Sequence, residues 1–208
     1  MYDTLLQLPL FQGMTKQNFD ALLMKLKLNF VKYKAGTKFI EAGSACTDFV
    51  FLINGSVVSS RESAVAGFVY KEVIGAPFLL EPFAMFGVSA TFNHDYYAQT
   101  DISVLLIDKQ YVYSELNKYD ICGMNLLNML SGKAQVVDRF IWSRKEFTLR
   151  ERIIRFVKGL SELQYGEKYL QIKMNTLAGL MDTTRLKVSN ELNDMAESGL
   201  IVLKRKEI

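Results

Sequence analysis

Asn175–Ile201 reads NTLAGLMDTTRLKVSNELNDMAESGLI. Two short helical patterns are separated here by a polar turn. Asn175 is placed to cap the first helix, in which Leu177, Ala178 and Met181 face inward. Asp182 falls at the turn, where Asp tolerates a left-handed backbone better than most residues other than glycine. Thr183 or Thr184 can cap the second helix. Val188, Leu192 and Met195 then form its i, i+4, i+7 apolar stripe, and Gly199 is well placed to stop it. Near its N-terminal end the same helix offers Arg185, Lys187, Ser189 and Asn190. A helix-turn-helix reads base edges with the first residues of its second helix. Arg suits guanine and Asn suits adenine, while Thr183, Thr184, Lys187 and Ser189 suit phosphates. The tail LIVLKRKEI, with Lys204, Arg205 and Lys206, reads as a wing touching the backbone. On the residues alone the segment is equally an ordinary helical hairpin.

Upstream, Thr148 and Glu151 make a capping-box pattern ahead of IIRFVKGL, and KYLQIKM after Gly166 reads as a short strand. From about Tyr119 to Ser143 the period is helical. Leu127, Leu130, Ala134, Val137 and Ile141 are spaced as an a/d seam. A second row runs Cys122, Leu126, Met129, Val136 and Phe140, with Lys133 interrupting it. Two apolar faces need two partners. One assignment is a β-domain of the same chain and a second copy of the helix; the other is a helix buried within one protomer. Between about Asn29 and Lys109 the pattern is instead of strands. KFIEAG, DFVFLINGSVV, GFVYKEV and SVLLIDK are punctuated by Gly36, Gly43, Gly55, Gly67, Gly75 and Gly87, which suggests a sandwich or barrel. Residues 1–28 read as short helices, with Thr15 as a start signal.

Composition narrows the classes. Half of the 208 residues are hydrophobic, enough for one large core or two modest ones. Residues 144–208 hold 13 Lys+Arg against 9 Asp+Glu, while residues 1–143 hold 12 against 13. A basic C-terminal third on a neutral body suits a polyanion there, although the same imbalance is ordinary for a solvated surface. Cys46 and Cys122 are the two cysteines, so a reducing cytoplasm is expected. Two thiols cannot hold an ordinary iron–sulfur cluster, and one histidine, His94, cannot make a His-rich metal site. No metal and no cofactor are expected. A metal-dependent barrel enzyme is correspondingly disfavoured. MYDTLLQLPLF does not read as a signal peptide, and no apolar run reaches membrane-spanning length.

The ordered series of segments resembles the cyclic-AMP receptor protein / fumarate-nitrate regulator (CRP/FNR) family along nearly the whole chain. LPLFQGMTKQNFDALLMKL resembles the family's N-terminal helices, and YKAGTKFIEAGSACTDFVFLINGSV its β-roll. The long helix, TLRERIIRFV and LAGLMDTTRLKVSNEL follow in the family's order. The resemblance implies an α+β fold in three parts: a double-stranded β-helix (jelly-roll) sensor over 1–118, a dimerisation helix over 119–145, and a winged helix-turn-helix over 146–208. It implies a bacterial, cytoplasmic transcription regulator and not an enzyme. The partners would be a second copy through Leu127, Leu130, Ala134, Val137 and Ile141, a palindromic promoter site in double-stranded DNA, and RNA polymerase. No membrane is implied. The alternative is a ligand-binding β-roll that acts through protein contacts and not DNA.

Departures from the family pattern bear on the effector. Nucleotide-binding members carry a Gly-Glu pair for the ribose and an Arg-Ser/Thr-Ala motif for the cyclic phosphate. The stretches read as their counterparts are FGVSA and FNHDYYAQT. Val88 follows Gly87, and no Arg lies between Glu72 and Lys109. A desolvated phosphate needs a cationic or well-donated cradle, so an effector other than cyclic AMP is expected. Phe86, Gly87, Val88, Tyr96 and Tyr97 are the candidate pocket residues; they allow an uncharged ligand or a filled core. His94 is expected to be a surface-loop residue and not a haem ligand. In the second helix Arg185 matches the family, whereas Leu186 stands where Glu is common and Asn190 where Arg is common. A different target sequence is therefore expected.

Overall fold

The structure, a computed structural model, describes residues 5–25, 28–116, 118–142, 147–163 and 165–204. After a 3-10 turn at Pro9–Phe11 comes helix α1, Lys16–Leu23. Then follow β1 (Asn29–Tyr33), β2 (Lys38–Ile40), β3 (Asp48–Asn54), β4 (Ser56–Ser63), β5 (Phe68–Gly75), β6 (Phe78–Leu80), β7 (Asp95–Ala98) and β8 (Ile102–Asp108). The chain continues with α2 (Asp120–Ile141), α3 (Leu149–Leu160), β9 (Lys168–Gln171), α4 (Met174–Leu180) and α5 (Arg185–Glu197). None of the described helices is long and apolar enough to cross a membrane.

The chain divides into two compact units, Met1–Ser59 with Val73–Gln135, and Ser60–Glu72 with Val136–Ile208. The division falls inside the 119–145 segment and takes Ser60–Glu72 out of the 1–118 range.

In the first unit one sheet has the order β1-β8-β3-β6, and a second runs β2-β7-β4-β5. The sheets form because short β-branched and aromatic runs alternate inward and outward. Tyr96 and Ala98 of β7 are buried while Asp95 and Tyr97 between them are half-buried. β3 is buried on both faces, with Phe49 to Leu52 all inside, and pairs antiparallel with β8 at Phe51↔Leu105. The Phe51 ring stacks on Phe11 at 5.7 Å, and Phe11 meets Phe19 of α1 edge-on at 5.3 Å. Thr15 caps α1 by accepting from the Asn18 N–H at 3.2 Å, as its sequence predicts. Asn125 of α2 donates to the carbonyls of Leu10 and Gln12, and Cys122 on the same helix is buried.

In the second unit β9 pairs antiparallel with the first half of β5, from Val69↔Gln171 to Glu72↔Lys168. The hairpin residues therefore belong to this core. Phe68 and Tyr70 are buried with Ile153, Phe156, Leu177, Val188, Leu192 and Met195. The Phe68 ring meets Phe156 edge-on at 5.5 Å. Glu72 is fully buried, accepting from the backbone N–H groups of Glu162 and Leu163 at 2.8 and 3.0 Å and pairing with Lys168 at 3.2 Å. The Tyr70 and Ser161 hydroxyls are 2.7 Å apart. The capping box at Thr148 and Glu151 is complete. One local expectation fails. Asn175 does not cap α4: the helix begins at Met174, with Lys173 in the cap position and no side-chain cap. Ile201–Leu203 form no strand, and Lys204 makes only an isolated bridge; Arg205 and Lys206 lie outside the described residues.

Candidate nucleic-acid interface

α4 and α5 are joined by a turn at Met181–Thr184 whose geometry follows from its residues. Asp182 takes the left-handed conformation at φ 46°, and the Thr183 N–H donates to the Ala178 carbonyl at 3.0 Å. Ala178 is buried where the two helices pack; a small residue lets their backbones approach. Thr184 caps α5, its hydroxyl accepting from the Lys187 N–H. Thr183 is half-buried and stays out of the cap. Two arginines of α3 brace the pair. Arg150 Nε donates to Glu191 of α5 at 2.7 Å, and Arg152 donates to the Met181 carbonyl at 2.6 Å.

With Val188, Leu192 and Met195 buried, α5 presents the rest of its surface to solvent. Arg185, Lys187 and Asn190 are exposed and Ser189 is half-buried. At about 100° per residue, Leu186 and Asn190 share one strip with Asn193. Arg185 lies about 100° to one side and Lys187 about 100° to the other. Arg185 lines a groove of about 650 Å³ with Gly67, Val69, Lys173 and Asn175. Two cations thus flank a strip of amides and one leucine, at the end of a helix whose first N–H groups favour an anion.

The five effector-pocket candidates do not gather on one wall. Val88 is fully exposed in the loop after Gly87, which sits at φ 102°. Phe86 is also exposed, its ring 6.4 Å from Phe49. Tyr96 is fully buried, and Tyr97 points the other way, under the Lys38 ammonium. A cavity of about 370 Å³ lies instead against Tyr33, Phe39, Ile40, Phe92, Val104 and Leu106.

Sequence reasoning missed Glu81. It is fully buried in the left-handed conformation at φ 39°. Its carboxylate accepts from the N–H groups of Asn93 (2.8 Å) and His94 (3.0 Å), the Asn93 amide (3.0 Å) and the Tyr96 hydroxyl (3.2 Å). The His94 ring completes the set at 2.6 Å. Burial alone would push this carboxyl up; the hydrogen bonds and charge of His94, with those of Asn93, outweigh it and hold it below its ordinary value. His94 is therefore not the expected surface-loop residue. It is buried because Glu81 supplies its partner. The available signal was an acid inside an apolar run, FLLEPFAMF, since a buried charge must find donors. Both cysteines are buried, with their thiols pushed up to about 12 at Cys46 and about 11 at Cys122, chiefly by burial.

Two antiparallel sheets over N-terminal helices, a long helix and a C-terminal helical unit define the fold of the CRP/FNR-type cyclic-nucleotide-binding regulators. Solved structures bear this out. A catabolite activator protein from Thermus thermophilus superposes with a TM-score of 0.57 at 20% identity, covering 96% of this chain and 92% of that one. The sensor domain of the transcriptional regulator DNR from Pseudomonas aeruginosa gives 0.55 at 18% identity, over 70% of this chain and 95% of its own. The c-di-GMP-responsive global regulator CLP from Xanthomonas campestris gives 0.50 at 17% identity, over 93% and 97%. No family profile and no curated protein matches the chain.

Proposed function

We propose that the chain is a homodimeric, sequence-specific DNA-binding transcription regulator of bacterial type, working in the cytoplasm on palindromic promoter sites. The observation that carries this reading is the α4–turn–α5 pair. A left-handed Asp182, a Thr184 cap and a buried Val188–Leu192–Met195 stripe leave Arg185, Lys187, Ser189 and Asn190 on the outer surface of one helix. In this reading α4 and α5 are a helix-turn-helix and α5 is the recognition helix. Arg185 takes a guanine edge, Asn190 an adenine edge, and Thr183, Thr184, Lys187 and Ser189 take phosphates. Lys204 supplies a further phosphate contact. RNA polymerase is the further partner at a promoter.

Dimerisation runs through α2. Leu127 and Val137 are 58% and 44% exposed within the protomer, and Ala134 beside them is exposed. Cys122 of the second row is buried, and Leu126 and Met129 are half-buried. Of the described seam residues Leu127, Ala134 and Val137 are thus exposed and Leu130 is half-buried; the Ile141 side chain lies outside the described ones. A second copy covering the seam is the economical solution. The β-roll senses an effector other than cyclic AMP. Glu81 already occupies the Asn93 and His94 amides, no arginine lies nearby in sequence, and the 370 Å³ cavity is lined mostly by apolar residues. Selection of bound duplexes from a random pool tests the proposal: an inverted repeat is expected, and a pool without enrichment rejects it.

A further inference from the structure

Leu186 is the second residue of α5 and is 70% exposed. At about 100° per residue it points about 120–180° away from Val188, Leu192 and Met195, so it contributes nothing to the core stripe. Asn190, one turn on, lies about 40° from it around the axis, and both are exposed. Arg185 and Lys187 flank this strip. A leucine and an amide one turn apart, with the base-reading Arg185 on one side and the phosphate-contacting Lys187 on the other, suit a base-pair edge that carries a methyl group and an adenine. Only the A·T pair presents both in the major groove, the thymine C5-methyl beside the adenine N7 and N6 groups.

We infer that Leu186 packs on a thymine methyl in each half-site, with Asn190 reading adenine on the same or the adjoining pair. This rests on the DNA reading proposed above and names what that surface selects. Leucine has no donor or acceptor, so its discrimination is all in the methyl. Removing that methyl loses what burying one methylene-sized apolar group is worth, a factor of about four in affinity. Removing the leucine side chain has the same effect on the thymine duplex.

The test uses the full chain and a duplex selected by it from a random pool. Each thymine is replaced singly by uracil, which deletes only the methyl. Wild-type protein should lose about fourfold at one position per half-site. Leu186→Ala should melt as wild type, since the side chain is outside the core, and should bind the thymine and uracil duplexes alike. Asn190→Ala should keep the uracil effect and relax the preference for adenine. Indifference of the wild type to uracil at every thymine, a selected site without thymine, or an undiminished uracil effect in Leu186→Ala would each overturn the assignment while leaving DNA binding intact. A pool from which nothing is enriched would overturn the DNA reading and this assignment with it.

Discussion

Glu81 concentrates much of the first unit's polar chemistry in one side chain. A non-glycine residue in the left-handed region costs about 1–3 kcal/mol, and its five hydrogen bonds to Asn93, His94 and Tyr96 offset that cost. His94 and Asn93 hold its pKa below the ordinary carboxylate value of about 4.5. The sign follows: the unfolded chain binds the proton more readily, so this carboxylate's stabilisation is complete above about pH 4.5 and is lost as pH falls through the folded value. Acid unfolding followed by tryptophan fluorescence and circular dichroism should therefore begin in that range. In Glu81→Gln the corresponding pH dependence should be weaker, and stability at neutral pH lower by about 2 kcal/mol, the scale of losing charge-assisted hydrogen bonds. A variant as stable as wild type at pH 7 would mean that the node is not a structural one. Two residues of α5 are predicted to behave differently from each other. Arg185→Ala should cost about 1–3 kcal/mol on the selected site and relax one base preference. Lys187→Ala should weaken all sequences alike and lower the salt slope by about one charge. Titrations on selected and scrambled duplexes separate the two.

At the scale of elements, α2 and the β4–β5 hairpin carry the account. Replacing Leu127 and Val137 by Asp puts charges on an exposed seam, so the protomer should fold. Light scattering should nevertheless report monomers, because a dry interface cannot hold unpaired charges. A wild type already monomeric at micromolar concentration would contradict the dimer. The hairpin makes a different demand. Phe68 lies in the second unit's core against Phe156, so Phe68→Ala should destabilise that unit by about 3–5 kcal/mol. Limited proteolysis should then cut within 147–204 faster than in wild type. The helices were legible because their signals are local. Thr148 with Glu151, Thr184 before Lys187, and Asp182 in the turn each act within four residues, and each takes its expected place. Lys173 stands where Asn175 was expected because a cap is fixed by where the preceding β9 lets the helix begin, which no four-residue window contains. The destination of Phe68 and Tyr70 was illegible for the same reason: their partners are some ninety residues away, and strand alternation reports that a face is buried without reporting against what.

For the whole molecule, the order of segments was readable because each announces its own period. The wiring of the first unit was not. Val88 is exposed in a loop, and the acid that meets the Asn93–His94 segment is Glu81. Loop conformation sets that correspondence, and loop conformation is the least local property of this chain. The two-unit division places the exposed face of α5 in one unit and a cavity of about 370 Å³ in the other. The central claim is that this surface binds DNA with sequence preference. The most direct measurement is the affinity of the full chain for its selected duplex and for a scrambled duplex, followed by fluorescence anisotropy between 50 and 200 mM salt, the range over which phosphate contacts are exposed to competition. The account predicts a log–log salt slope of roughly −5 to −9 for a dimer neutralising about 6–10 phosphates, with the selected site at least about 1,000-fold tighter than the scrambled one. Equal affinity for the two duplexes, or an affinity indifferent to salt, would contradict it.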